Sequence, residues 1–219
     1  MNSAFEDTEQ LRAGVLETCR AMSELGFCVS TWGNISVRLV NGNVLITPSR
    51  VEYGTMTAAD LVEVSAAGVK LRGTRLPSSE TLLHCALLAA RPEIPVWIHT
   101  HAPACSALAC RHVSLPVIVE DMAQIIGGEV RCARYVPGGR HRELAEAAVE
   151  ALAPGANAVF LANHGVIVGG RSLDEALVAT QVLEKAAAIW GNSYGACVPL
   201  PEELVAEERD RFLHRYGKE

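Results

Sequence analysis

Ile35-Ser36-Val37-Arg38-Leu39-Val40-Asn41-Gly42-Asn43-Val44-Leu45-Ile46-Thr47 is the stretch that sets the architecture. Two runs rich in β-branched and aliphatic residues flank an Asn-Gly pair, and both turn residues tolerate the positive φ of a tight hairpin turn. The reading is an antiparallel hairpin with strands over 35–40 and 44–47. Outward from it, 61–65 and 69–72 form a second strand pair around Ala66-Ala67-Gly68. Upstream, Leu11, Val15, Cys19, Met22 and Leu25 recur at helical spacing, so Thr8 to Gly26 is a helix closed by its glycine. Downstream, Pro77-Ser78-Ser79-Glu80 reads as a helix start with Ser78 or Ser79 as N-cap, and Pro92 stops that helix. Strands over 96–100, 115–119, 158–161 and 166–168 alternate with helices over 102–110 and 140–153. Ser172 and Glu175 form a capping box opening a helix to Trp190, and a charged helix runs from Pro201 to Tyr216. No repeat, low-complexity tract or linker interrupts the pattern. A single α/β domain over residues 1–219 is expected.

Composition narrows the function classes. Of 219 residues, 49% are hydrophobic and 20% charged, which excludes disorder as the main state. The net charge is −6 and aromatics make up 5%, so neither a phosphate-tracking basic surface nor a base-stacking platform is written here. No apolar run approaches a membrane span, and the acidic start Met1 to Asp7 lacks a secretory pattern. No nucleic-acid or membrane role is therefore expected, and the cytoplasm is the expected location. The 7 cysteines contain no Cys-x-x-Cys pair and read as reduced, mostly buried thiols.

The chemistry-bearing residues fall in a few turns. His99-Thr100-His101 ends a strand, where residues two apart share a face about 6–7 Å apart. Such a pair either shares a metal or consists of partly buried histidines bonded to their neighbours. His164 lies at the end of another strand, and three imidazoles without a fourth protein ligand would describe an open metal site. Ser78 and Ser79 either cap their helix or offer hydroxyls to an anion, and Glu80 is either first-turn dipole compensation or a general base. His84 shares a helix face with Glu80 and ranks below the other three histidines as a ligand. Gly33-Asn34-Ile35-Ser36 and Thr47-Pro48-Ser49 are polar turns able to deliver amide and hydroxyl donors.

The ordered set Gly-Asn-Ile-Ser at 33–36, Ile-Thr-Pro-Ser at 46–49, Pro-Ser-Ser-Glu at 77–80, His-Thr-His at 99–101 and Asn-His-Gly at 163–165 resembles the class II aldolase/adducin family over nearly the whole chain. The resemblance implies a central, mainly antiparallel sheet flanked by helices, and a homotetramer with sites between subunits. It implies zinc, with manganese or cobalt as alternatives, on His99, His101 and His164. Glu80 is then the catalytic carboxylate, and Asn34, Ser49, Ser78 and Ser79 bind the substrate phosphate. Tyr216 is implied as a second catalytic residue reaching a neighbouring subunit's site. Two positions depart from the family's sugar-phosphate aldolases. Arg50 stands where they carry a glycine beside the phosphate, and Asp121 is nearest to a proton-donating tyrosine.

The implied activity is that of a metal-dependent carbon–carbon lyase, cleaving a small phosphorylated ketose through a metal-stabilised enediolate. Within the family the alternatives are a 3-oxo-sugar-acid phosphate decarboxylase and, less favoured, an epimerase or a dehydratase. The alternative from another class is a non-catalytic adducin-like module.

Overall fold

The computed structural model of the protein describes residues 4–215. In chain order the elements are α1 (Glu9–Glu24), β1 (Asn34–Arg38), β2 (Val44–Ile46), β3 (Val62–Val64), β4 (Lys70–Arg72), α2 (Thr81–Ala90), β5 (Val96–Thr100), α3 (Pro103–Cys110), α4 (Glu120–Ile125), β6 (Cys132–Ala133), α5 (His141–Ala151), β7 (Ala158–Leu161), β8 (Gly165–Gly170), α6 (Leu173–Asn192) and α7 (Glu202–His214). The hairpin forms as the Asn-Gly turn requires: Ser36 faces Ile46, Arg38 faces Val44, and Gly42 takes a φ of +82°. Buried Glu63 on β3 anchors the turn by accepting from the Asn41 and Asn43 side chains at 3.1 and 2.6 Å.

The eight strands form one sheet in the order β4-β3-β2-β1-β5-β8-β7-β6. Every neighbouring pair is antiparallel except β6 with β7. Alternation along the strands divides the residues between two covered faces. Ile35 and Val37 of β1 and Val96 and Ile98 of β5 pack against Val15, Cys19 and Met22 of α1. Trp97, between them, packs with Leu83 and Leu87 of α2 and Ala147 of α5. Farther along the sheet, Phe160, Val166 and Val168 meet α3, α4 and α6. Asn34, Ser36 and His99 occupy the remaining alternate positions, so they point toward α2, and all three are buried.

Two expectations differ from what forms. Residues 115–119 make no strand. Leu115 exchanges a single pair of backbone bonds with Val130 at 2.8 and 2.9 Å, and Pro116 has no N–H to extend the ladder. Neither Ser78 nor Ser79 is the N-cap of α2. That position belongs to Glu80, whose side chain makes no capping bond. The two-residue β6 was too short to show any periodicity. Among the described residues no helix is long and apolar enough to cross a membrane.

One glycine sets how closely β8 approaches β5. A Cβ on Gly165 would lie 2.4 Å from the Thr100 carbonyl oxygen and 3.3 Å from His99 Cε1. Gly165→Ala is expected to lower unfolding free energy by about 1–3 kcal/mol in chemical denaturation. Gly138→Ala, where an added Cβ meets nothing within 4 Å, is expected to stay within about 0.5 kcal/mol.

Candidate active site

The register of β5 between β1 and β8 assembles the cluster. Asn34 of β1 lies directly opposite His99, and Thr100 lies opposite Val166. The second pairing brings the β7–β8 turn, with His164, alongside His101. Asn163 makes that turn with a φ of +54°, a conformation asparagine tolerates better than most residues. The three rings stand edge to face, with centroids 4.9, 4.8 and 5.1 Å apart.

Nε2 of His99 and Nε2 of His101 are 3.1 Å apart, and one ring nitrogen from each of the three histidines falls within a 4.8 Å set. Two nitrogens at ordinary zinc–nitrogen distances in tetrahedral geometry are about 3.3 Å apart. The three histidines therefore form a donor set able to hold a divalent metal, with the His99–His101 pair already near the ligating distance. His99 Nδ1–H donates to the Val166 carbonyl at 2.9 Å, which leaves its Nε2 lone pair toward the cluster. Burial pushes His99 down to about 4, an effect that nearby Glu80 opposes, and lowers His101 as well. At neutral pH both imidazoles are uncharged, as ligation requires.

Glu80 faces the cluster from the start of α2. Its Oε2 is 3.4 Å from His99 Nε2 and accepts a hydrogen bond from Asn34 Nδ2 at 2.7 Å, while Oε1 is 3.2 Å from His164 Nε2. Burial raises its pKa, but the surrounding histidines and the Asn34 donor outweigh this and hold the carboxyl below its ordinary range. His84 does not join the triad. It is fully buried behind Glu80, with Nδ1 2.6 Å from Ser36 Oγ and Nε2 hydrogen-bonded to Asn34 Oδ1.

The serine turns are stitched together by backbone bonds. Ser49 N donates to Leu76 O at 2.9 Å, and Ser78 N donates to Thr47 O at 3.1 Å. Freed from capping, Ser78 Oγ accepts from Glu80 N at 3.2 Å. Ser49, Ser78, Ser79, Asn34, Glu80 and the three histidines all line one cleft of about 350 Å³. Arg50 and Trp32 line it too; Arg50 holds a φ of +59°, and the Trp32 ring lies 5.9 Å from that of His101. A second cleft, which includes Tyr135, adjoins the first at Ser79, Glu80 and His164.

Two of the remaining positions stand as follows. Asp121 does not line it and pairs instead with Lys185 of α6. Tyr216 lies outside the described residues. Sequence reading passed over the Asn34–Glu80 contact and the place of His84 behind it. The spacing of Glu80 and His84, one helical turn apart, was the available signal for the latter.

Known proteins resemble the chain along nearly its full length. The model of the class II aldolase and adducin N-terminal domain matches residues 13–190. The 5-methylthioribulose-1-phosphate/5-deoxyribulose-1-phosphate aldolase of Rhodospirillum rubrum is 36% identical over 209 residues, covering 94% of this chain and 90% of that protein. The L-fuculose phosphate aldolase of Escherichia coli K12 is 32% identical, covering 94% and 95%. A solved L-fuculose 1-phosphate aldolase superposes with a TM-score of 0.88 at 30% identity, covering 95% of this chain and 98% of its own.

The buried histidines make the metal-free protein acid-sensitive. His84 is pushed down to about 3 by burial and His99 to about 4, against 6.5 in an exposed chain. Below pH 6.5 the unfolded chain takes up protons that the folded one refuses, so stability falls as pH drops toward those values. Denaturant titrations of the metal-free protein between pH 7 and 5 are expected to show a loss approaching 1.4 kcal/mol per pH unit for each histidine, as an order of magnitude.

Proposed function

Because the chain belongs to the class II aldolase and adducin family and is a class II aldolase, a carbon–carbon lyase, we propose that its substrate is a small ketose 1-phosphate. The observation that supports this reading is the placement of Glu80. Its carboxylate stands between Asn34 and three converging imidazoles, in a cleft also lined by Ser49, Ser78 and Ser79. The relatives named above act on sugar phosphates, and this cleft has the parts such a ligand needs.

His99, His101 and His164 would hold the metal, zinc by the fit of the donor set, with manganese or cobalt as substitutes. A divalent ion held there on neutral ligands would supply a Lewis acid to polarise the substrate carbonyl. Glu80 handles the proton on carbon. Its Oε2 is engaged by Asn34, so Oε1 is the oxygen that takes the proton in condensation and returns it in cleavage. Ser78 accepts a bond from Glu80 N and keeps its own hydroxyl hydrogen for the phosphate, as Ser49 and Ser79 do. Asn34 has a second amide hydrogen for the same ligand. Tyr216 is proposed as a catalytic group of a homotetramer with sites between subunits. Trp32 at the cleft is 65% exposed in the lone chain, as a residue awaiting a neighbouring subunit would be. The proposed location is the cytoplasm.

Arg50 replaces the backbone approach of a glycine with a charged side chain. A left-handed arginine costs about 1–2 kcal/mol of backbone energy, which a direct guanidinium–phosphate bond can offset.

The reading is tested by incubating the metal-loaded protein with ketose 1-phosphates and identifying the aldehyde released. Absence of bound divalent metal, together with no cleavage when metal is added, would refute it. Glu80→Gln is expected to keep the metal and lose about 10²–10⁴-fold in kcat, the range of general acid–base catalysis. His99→Ala is expected to lose the metal, measured by elemental analysis. Arg50→Gly is expected to raise KM about tenfold or more without lowering Tm, since one charge-assisted bond contributes about 1.5–3 kcal/mol.

A further inference from the structure

Behind Glu80 runs a buried line of polar side chains whose inner members, Ser36 and His84, the chemistry above does not use. It passes from Ser36 on β1 to His84 on α2, back to Asn34 on β1, and out to Glu80. Ser36 and His84 are wholly buried and Asn34 is 6% exposed, so water cannot stand in for a missing partner.

The direction of every bond follows from its last member. An ionised carboxylate only accepts, so Asn34 must present its NH₂ to Glu80 Oε2. The amide oxygen of Asn34 then faces His84 Nε2 and needs a donor, which puts the imidazole hydrogen on Nε2. Nδ1 is left bare and takes the hydroxyl hydrogen of Ser36, 2.6 Å away. All three bonds point the same way, toward Glu80. Turning the Asn34 amide over would set its oxygen against the carboxylate. His84 with its hydrogen on Nε2 prevents this, because the turned amide would place two donors face to face.

We infer that His84 is a positioning residue for the aldolase reaction: as the neutral Nε2–H form, held by Ser36, it locks the Asn34 amide so that Glu80 keeps Oε2 occupied and Oε1 free for the proton. The inference rests on the aldolase reading, and it assigns His84 a role through Asn34 rather than on the metal or the substrate.

Four measurements on the zinc-loaded protein test it. ¹⁵N spectra of the imidazoles, with the His84 signals identified by their loss in His84→Gln, are expected to show a neutral ring protonated on Nε2. A ring protonated on Nδ1, or doubly protonated, at neutral pH overturns the inference. His84→Leu is expected to lower kcat about 10-fold to 100-fold, the usual effect of removing a group that orients a reacting one, and to shift KM less than about threefold with full metal content. Glutamine places an amide N–H near the position of Nε2, so His84→Gln is expected to recover most of the lost kcat. Ser36→Ala, a milder change should the leucine variant not fold, is expected to lower kcat by a smaller factor and to depopulate the Nε2–H form. Unchanged kcat in His84→Leu, or, where that variant does not fold, unchanged kcat in Ser36→Ala with the Nε2–H form unaltered, overturns the inference while leaving the aldolase reading intact. Failure of the wild-type protein to cleave any ketose 1-phosphate counts against that reading instead, and the ¹⁵N result still reports on the hydrogen-bond line.

Discussion

Everything at the site depends on the backbone register of one strand. β5 is paired on one side with β1 and on the other with β8, and those two ladders bring Asn34, His99 and His164 together from three distant parts of the chain. A slip of one residue in either ladder would turn His99 to the opposite face of the sheet, among the packing residues of α1. The register is protected by the same alternation. Ile98 and Val96 are fully buried on one face and Trp97 on the other, so a one-residue slip would force the indole into the aliphatic layer under α1 and leave a gap where it packs with α2 and α5.

The ladders position the imidazoles, and helix α2 adds the carboxylate. Glu80 is at a helix start yet makes no capping bond, so its side chain is available to the cleft. Its partners are the ring nitrogens of His99 and His164 and the amide of Asn34. Buried among neutral imidazoles, an isolated carboxylate would be expensive. The Asn34 donor and the polar chain behind it supply part of what water would have given. A divalent ion held by the triad would complete that compensation.

Much of this was legible in the sequence, for identifiable reasons. The Asn41-Gly42 turn and its alternating flanks specify a hairpin locally, and the hairpin forms at that place. His99 and His101 share a strand end, so their convergence needed only a two-residue period, and their Nε2 atoms meet at 3.1 Å because the rings lean together. His164 came from the ordered motif set rather than from any local rule, since β8 pairs with β5 across more than sixty residues. Other features were hidden because their cause is non-local. Residues 115–119 look like a strand by composition but find one bridging partner and contain a proline. Ser78 resembles a cap, yet Thr47 engages its backbone N–H and the helix starts after Glu80. His84 resembled a spare ligand until the tertiary fold set Ser36 and Asn34 against its two nitrogens.

The sheet also separates two kinds of sequence freedom. One face, under α1, is packed with aliphatic side chains and takes no part in the chemistry, while Asn34, Ser36, His99 and Glu80 lie on the α2 side. Changes of apolar volume beneath α1 should therefore combine nearly additively with changes in the cleft, because few side chains are shared between them. A lineage bearing this fold can alter its thermal tolerance on one side of the sheet and its choice of substrate on the other, with little cross-talk between the two.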